Sequence, residues 1–429
     1  MARETSCFKI GDLFELVNGY AFKSGEFIKS GIPVIKIKNV KAGRMLYETL
    51  SYVDPRFLQS RPDKVIKKGE LLITMSGNRL DGSPETWVGK VAQFDKDSPY
   101  LLNQRVGILR PRKGTDLDRR FFSYSLSSEF YQKEFISIAT SSGGQANLSP
   151  PQILSAPIEV PSLSNQKRIA HILGTLDDKI ELNARMNATL EAMARALFQS
   201  WFVDFEPVER NAEGRTRHSE DSLFPGSLED SAIGKVPTGW EVCPLSEKIQ
   251  LLSGGTPKTS ESTYWDGDVP WYSVRDAPTE TDVWVVQTDK SVTELGIANS
   301  AAKIFPEKTT IISARGTVGK VALTGVPMAM NQSCYGIRGI SGYGNFFTYY
   351  LVREATVRLQ QNAHGSVFDT ITTRTFESLD CVFPNKELTI KFDKAVEPLL
   401  TKIRANLHQS RTLATLRDTL LPKLLAGEL

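Results

Sequence analysis

Ser164-Asn165-Gln166-Lys167-Arg168-Ile169-Ala170-His171-Ile172-Leu173-Gly174-Thr175-Leu176-Asp177-Asp178-Lys179-Ile180-Glu181-Leu182-Asn183 opens a stretch that runs to Phe202 with no proline and one glycine, Gly174. Positions 169, 173, 176, 180, 183, 187, 190, 194 and 197 hold Ile, Leu, Leu, Ile, Asn, Asn, Leu, Ala and Leu. This spacing of three and four is that of a coiled-coil seam. A single helix is predicted, and some 38 residues would span roughly 57 Å at the α-helical rise. Such a rod would hold two globular units well apart.

The seam occurs twice. Adding 223 to each position gives Phe392, Val396, Leu399, Ile403, Asn406, Ser410, Leu413, Arg417 and Leu420. The polar break recurs in the same place. A buried Asn in a seam costs stability but fixes register and pairing. The two helices are therefore expected to pack on each other through Ile180, Asn183, Leu190 and Leu197 of the first and Ile403, Asn406, Leu413 and Leu420 of the second. The other reading is that each helix caps its own domain. Arg417 and Ser410, where the first helix has Ala194 and Asn187, make the second seam poorer.

Working outward, the whole chain is a repeat. Val88-Gly89-Lys90-Val91-Ala92 returns as Val318-Gly319-Lys320-Val321-Ala322, Asn103-Gln104 as Asn331-Gln332, and Phe121-Phe122 as Phe346-Phe347. The offset drifts from 230 to 225 here and settles at 223 from Pro161 onward. Drift fits loop insertions in a globular part, and a helix cannot absorb them. Each globular part reads as strand-rich. Gly31 to Lys38 alternates after a Gly-Ile-Pro turn, and Glu70 to Met75 is a short buried run. Val269 to Arg275 and Thr309 to Ser313 are their counterparts, and helices are expected over 117–135 and 344–362. The segment from Glu206 to Thr238 is rich in charge, Gly and Pro and reads as a surface connector.

A length of 429 residues suggests about three globular units, or two plus long connecting helices. Composition is that of a soluble protein, at 40% apolar and 24% charged. No apolar run of 18 residues or more and no secretory leader are present, so a cytoplasmic protein is expected. Cys7, Cys243, Cys334 and Cys381 are far apart in sequence, which argues against a disulfide framework or a CxxC zinc site. His171, His218, His364 and His408 are scattered. Neither cofactor nor metal is expected in this chain. Ala314-Arg315-Gly316-Thr317-Val318-Gly319-Lys320-Val321 lacks the first glycine and the final hydroxyl of a phosphate loop and reads as a hairpin turn. No motif of a methyltransferase, nucleotide site, hydrolase or nuclease is evident, so the chain is expected to bind and not to catalyse.

Two related units on a spacer suit a reader of two short DNA sequences at fixed separation. Bases are read by Arg, Lys, Asn, Gln and hydroxyl side chains on a rigid frame. Candidates at strand ends and turns are Lys36, Lys38, Asn39, Arg79, Gln104, Arg105 and Gln145 in the first unit. Lys258, Thr259, Arg275, Arg315, Thr317, Gln332 and His364 are those of the second. Phe8 to Lys113 carries 19 basic and 11 acidic residues, a balance of +8. Trp240 to Ile340 carries 9 and 11, a balance of −2, which is unhelpful for phosphate binding.

Pro161 to Ala170, Leu173 with Leu176 to Ile180, and Leu197-Phe198-Gln199-Ser200-Trp201-Phe202-Val203-Asp204-Phe205-Glu206-Pro207 resemble the central region of specificity subunits of type I restriction–modification systems. Gly234-Lys235-Val236-Pro237-Thr238-Gly239-Trp240 resembles the opening of that family's second recognition domain. Gly31-Ile32-Pro33-Val34-Ile35 and Gly267-Asp268-Val269-Pro270-Trp271-Tyr272 resemble its early strand, and the likeness extends from Phe8 to Leu429.

The resemblance implies an α+β fold with two pseudo-repeated, β-rich target recognition domains separated by two long antiparallel coiled-coil helices. Mapped onto this chain, these are recognition domains at 1–160 and 239–385, helical spacers at 161–205 and 386–429, and a linker at 206–238. It further implies a split double-stranded DNA target and docking of two modification subunits, which use S-adenosylmethionine to methylate adenine N6. Two motor-nuclease subunits with ATP and Mg would complete the restriction complex. A non-catalytic structural adaptor with two protein-binding β domains is the competing reading. It leaves the basic first unit unexplained.

Overall fold

A computed structural model of the chain describes residues 5–142, 144–215, 222–340, 342–362 and 370–428. The chain divides into two compact units, residues 1–178 with 413–429 and residues 179–412. Both long helices form, Leu163–Phe202 and Lys386–Ala426, and each contributes to both units.

Unit 1 is built on a four-stranded antiparallel sheet in the order Val91–Gln93, Leu71–Thr74, Val106–Pro111, Phe14–Asn18. Leu71, Leu72 and Ile73 are fully buried, as expected of a short apolar strand covered on both faces. A second sheet contains Ile32–Ile35 beside Tyr100–Leu102, and these two run parallel. Phe121, Phe122, Phe135 and Ile153 join Ile169, Leu173 and Leu424 of the long helices in one core.

Unit 2 repeats the plan. Val321–Thr324, Thr310–Ser313, Cys334–Gly339 and Ile249–Ser253 are adjacent in the same order, and Trp265–Tyr272 runs parallel to Ala329–Met330. The glycine-lysine segments lead into the strands Val91–Gln93 and Val321–Thr324, closing a long loop in unit 1 and a short hairpin turn in unit 2. Gly89 and Gly319 sit at φ 78° and 85°, conformations that favour glycine. Lys90 N donates to Thr74 Oγ1 at 2.9 Å, and Lys320 N to Ser313 Oγ at 2.8 Å.

Two sequence expectations meet a different outcome. The single helix expected over 117–135 is two, Arg119–Ser127 and Glu129–Ile138. Ser128 breaks the run because its extended backbone and hydroxyl cap the second helix, accepting from Tyr131 N. Its counterpart Asn345–Asn362 is continuous. The stretch read as a surface connector holds the helix Glu206–Ala212 and the hairpin Leu228–Ser231 with Gly234–Pro237. It also buries Val208, Phe224 and Val236.

Every one of the eighteen seam positions is buried or half-buried, Ile169 and Leu173 in the core of unit 1 and Ala194, Phe392, Val396 and Ile403 in that of unit 2. In unit 2, Asn183 Nδ2 donates to Gln409 Oε1 at 2.9 Å and Ser410 Oγ at 3.1 Å, and Asn406 Nδ2 to Asn187 Oδ1 at 2.9 Å. Asn183 meets Ser410 and, four residues on, Asn187 meets Asn406 four residues back, so the helices are antiparallel. In unit 1 the Arg417 guanidinium reaches Asp177 Oδ1 at 2.7 Å. A polar residue in the poorer part of the seam is thus paired across it.

Candidate nucleic-acid interface

A parallel strand pair delivers both chain exits to one side of its sheet. In unit 1 those exits are Lys36 and Asn103, and Asn103 N donates to Ile35 O at 3.0 Å. A tight turn, Ile37–Asn39, follows Lys36. Asn39 is 1% exposed; its Oδ1 accepts from Lys36 N at 2.9 Å and its Nδ2 donates to Leu46 O at 3.0 Å. Its amide therefore holds the turn, and nothing of it is presented to a base. Lys38 is exposed. The Lys36 ammonium lies 3.7 Å from the Phe27 ring centroid, and burial together with Lys38 lowers its pKa.

Gln104 and Arg105 continue this edge, both exposed. Gln104 N donates to Tyr20 O at 2.8 Å. Arg105 has φ 71°, a left-handed conformation costly for a non-glycine residue, and its carbonyl accepts from Met75 N at 2.8 Å. Its guanidinium lies 3.5 Å from Asn147 Oδ1, which also accepts from Ser76 Oγ at 2.7 Å. Gln145 is exposed on the same strand as Asn147. Arg79 is exposed on the next loop, and its Nη2 donates to Ala139 O at 2.6 Å. Backbone hydrogen bonds thus bring Lys36, Lys38, Gln104, Arg105 and Gln145 to one edge, with Arg79 beside it.

Unit 2 builds the same edge from different side chains. Asn331 N donates to Tyr272 O at 2.9 Å, as Asn103 does to Ile35. Asp276 Oδ2 accepts from Ser273 N at 2.8 Å and holds the turn Val274–Asp276, as Asn39 does in unit 1. Arg275 therefore stands where Lys38 stands, and it too is exposed. Gln332 stands where Gln104 stands, accepting from the Thr256 hydroxyl. A glycine backs each edge. A Cβ on Gly19 would lie 1.9 Å from Asn103 O, and one on Gly254 would lie 2.1 Å from Asn331 O. Arg315 and Thr317 are exposed on the adjoining hairpin turn. Lys258 and Thr259 are exposed on a loop whose Lys258 carbonyl accepts from Trp265 Nε1 at 3.3 Å. His364, like His218, lies outside the described residues.

Cations that the sequence reading passed over gather beside the unit 1 edge. Lys41 and Arg44 lie on the hairpin that follows the Lys38 turn. Lys90 is 3% exposed, and burial, then the nearby Lys41, lower its ammonium to about 8. The available signal was the density of cations from Lys36 to Arg44.

Among the described residues, Glu241, Cys243 and Glu247 form the one group with metal-ligand spacing. Lys248 Nζ already holds Glu241 at 2.7 Å, and burial pushes the Cys243 thiol up to about 11, which keeps it protonated. Cys243 is also the cross-strand neighbour of Cys381, and both are free thiols. No helix among the described residues is long and apolar enough to cross a membrane.

Residues 3–192 and 237–395 match the family described as the type I restriction modification DNA specificity domain. The chain belongs to that family. A type I restriction enzyme HindI specificity subunit from Haemophilus influenzae is 27% identical over 420 residues, 87% of this chain and 89% of the relative. The MjaIX specificity subunit from Methanocaldococcus jannaschii is 25% identical over 427 residues, 98% of this chain and 92% of the relative. Among solved structures, the S subunit of a type I restriction-modification system from M. genitalium has the same fold. Its TM-score is 0.58 at 17% identity, with 99% of this chain and 96% of that one covered. The two family matches fall one on each copy of the repeat.

Proposed function

We propose that this specificity-domain chain supplies the DNA sequence specificity of a type I restriction–modification complex and leaves catalysis to partner subunits. One observation carries the reading. The two units present the same strand-end edge, with Lys38 and Gln104 in one and Arg275 and Gln332 in the other. A shared scaffold with exchanged side chains is what two related readers of different sequences require, since base identity is read by side-chain hydrogen bonds.

In this reading the modules within 1–160 and 239–385 each bind one half of a split duplex target. The helical segments at 161–205 and 386–429 set the gap between the halves, and residues 206–238 link the two copies. Base and phosphate contacts are assigned to Lys36, Lys38, Arg79, Gln104, Arg105 and Gln145, and to Lys258, Thr259, Arg275, Arg315, Thr317, Gln332 and His364. Asn39 is omitted because its amide is satisfied within the fold. The partners are two modification subunits carrying S-adenosylmethionine and two motor-nuclease subunits using ATP and Mg, in the cytoplasm.

The test is methylation mapping. The chain is co-expressed with its modification partner, and host DNA is sequenced for N6-methyladenine. One split motif, two short blocks around a fixed gap, is expected. An assembled complex that adds no methylation would favour the adaptor reading.

A further inference from the structure

The loop between Thr74 and Gly89 is longer than its counterpart between Ser313 and Gly319, and it carries Glu85 back over the hairpin of Lys41 and Arg44. Lys41 Nζ donates to the Glu85 carbonyl at 3.0 Å and lies 3.4 Å from Glu85 Oε2. Arg44 Nη2 is 4.0 Å from Glu85 Oε1. Lys90 lies near the group but makes no ion pair with it. It is 3% exposed, it feels the charges of Lys41, Glu85 and Arg44, and its ammonium has no hydrogen-bond partner among the described residues. Two cations thus share one carboxylate with the unpaired Lys90 near them, and that carboxylate is itself 62% exposed.

Such an arrangement is overcharged for its own anion. A desolvated ammonium is stabilised by an anion that bonds to it, and Glu85 is occupied by Lys41 and Arg44. A phosphodiester offers two non-bridging oxygens that share one negative charge to an arginine and to lysines, which favours charge-assisted contacts. The neighbouring Lys38 already belongs to the edge assigned to DNA. Unit 2 lacks both sides of the arrangement. After Asp276 it reads Ala277-Pro278-Thr279-Glu280-Thr281-Asp282 with no cation, its Lys320 is exposed, and its shorter turn has no glutamate.

We propose that Lys41, Arg44 and Lys90 form a receptor for a backbone phosphate of the DNA duplex, held by the Glu85 carboxylate until DNA displaces it. The proposal rests on the DNA-reading function above. Glu85 then acts as a competitor that disfavours loose, non-specific binding by unit 1. No covalent step is involved: one carboxylate leaves the cations and one phosphodiester arrives.

The experiment measures duplex affinity of the full chain, assembled with its modification partner, by fluorescence anisotropy across 50–200 mM salt, about the range over which phosphate contacts are lost. Glu85→Gln is expected to tighten binding to a non-target duplex by about threefold or more at the low-salt end, because a like charge facing the phosphates is gone. Lys41→Gln with Arg44→Gln is expected to weaken binding and lower the slope of log affinity against log salt by about one. Both sets of substitutions fall on exposed or half-exposed side chains, so melting temperatures should match the unaltered complex; Lys90→Gln is a further variant, judged only where its melting temperature holds. Unchanged affinity and slope in both the Glu85 and the Lys41/Arg44 variants, with salt-sensitive binding by the unaltered complex, would overturn the receptor and leave the DNA-reading function standing. No DNA binding by the unaltered complex would overturn both. Inorganic phosphate at matched ionic strength is the remaining arm. If it raises the melting temperature of the unaltered complex, and Glu85→Gln brings no gain in DNA affinity, the site belongs to a free anion and the DNA assignment fails.

Discussion

Asp393 sits on the second long helix, and its carboxylate accepts from Phe346 N at 3.2 Å and Phe347 N at 2.8 Å, where the helix Asn345–Asn362 begins. Those amides favour the charged form, but burial is the larger influence and pushes the carboxyl from 3.8 up to about 6. The folded chain thus holds this proton more tightly than the unfolded one. The stability this gives is present at low pH and falls as pH rises from about 4 through 6. Asp393→Asn keeps an acceptor and removes the titration. Between pH 4.5 and 7 the variant is expected to gain on the parent by on the order of 1–3 kcal/mol, read from urea midpoints at each pH. A second buried charge behaves differently. The Glu191 side chain is 4% exposed, and its Oε1 accepts from Arg353 Nη1 at 2.6 Å. Among the described residues, Glu191→Ala leaves that guanidinium only the exposed Glu280 at 3.8 Å and the Tyr349 hydroxyl at 3.4 Å, and is expected to cost about 3 kcal/mol in denaturant unfolding.

At the scale of elements, side-chain amides bond directly across the helix pair. Asn406 Nδ2 bonds to Asn187 Oδ1, and Asn187 Nδ2 reaches Asp282 Oδ1 at 3.1 Å, tying the seam to the β part of unit 2. Asn406→Leu removes the donor and leaves a buried amide oxygen bare, for an expected loss of about 1–3 kcal/mol in denaturant unfolding. The helices were legible in the sequence because the seam is a local pattern with a fixed period, and a repeat doubles the signal. The parallel strand exits were half legible. Asn103-Gln104 and Asn331-Gln332 stood out as a recurring pair, but the equivalence of Lys38 and Arg275 did not. It depends on a turn that one unit closes with Asn39 and the other with Asp276, two residue types that a sequence match passes over. The Lys41–Glu85 pairing was illegible because it joins residues 44 apart through the folding of an inserted loop. Ser128 was equally hidden, since a serine interrupts a helix only when its backbone turns extended and its hydroxyl caps the next turn.

At the scale of the whole molecule, the two units have the same scaffold and opposite charge balances, +8 over Phe8 to Lys113 and −2 over Trp240 to Ile340. Counterion release depends on the number of phosphates neutralised, so the salt dependence of DNA binding should come mainly from the first unit. Sequence discrimination need not follow that asymmetry, because Lys38 and Arg275 occupy equivalent positions whatever their surroundings. Neutralising Lys36 and Lys38 to Gln should therefore flatten the salt slope by up to about two, and Arg275→Gln by no more than about one. Each change should also alter methylation at its own half of the split target and leave the other half unchanged. If each unit reads independently, the binding losses of Lys38→Gln and Arg275→Gln should add to within about 0.5 kcal/mol in the double variant. Anisotropy titrations of the parent, the two single variants and the double variant on one target duplex measure this directly. A coupling well beyond that margin would mean that the two edges act on DNA as one surface, and independent readout by two modules would have to be abandoned.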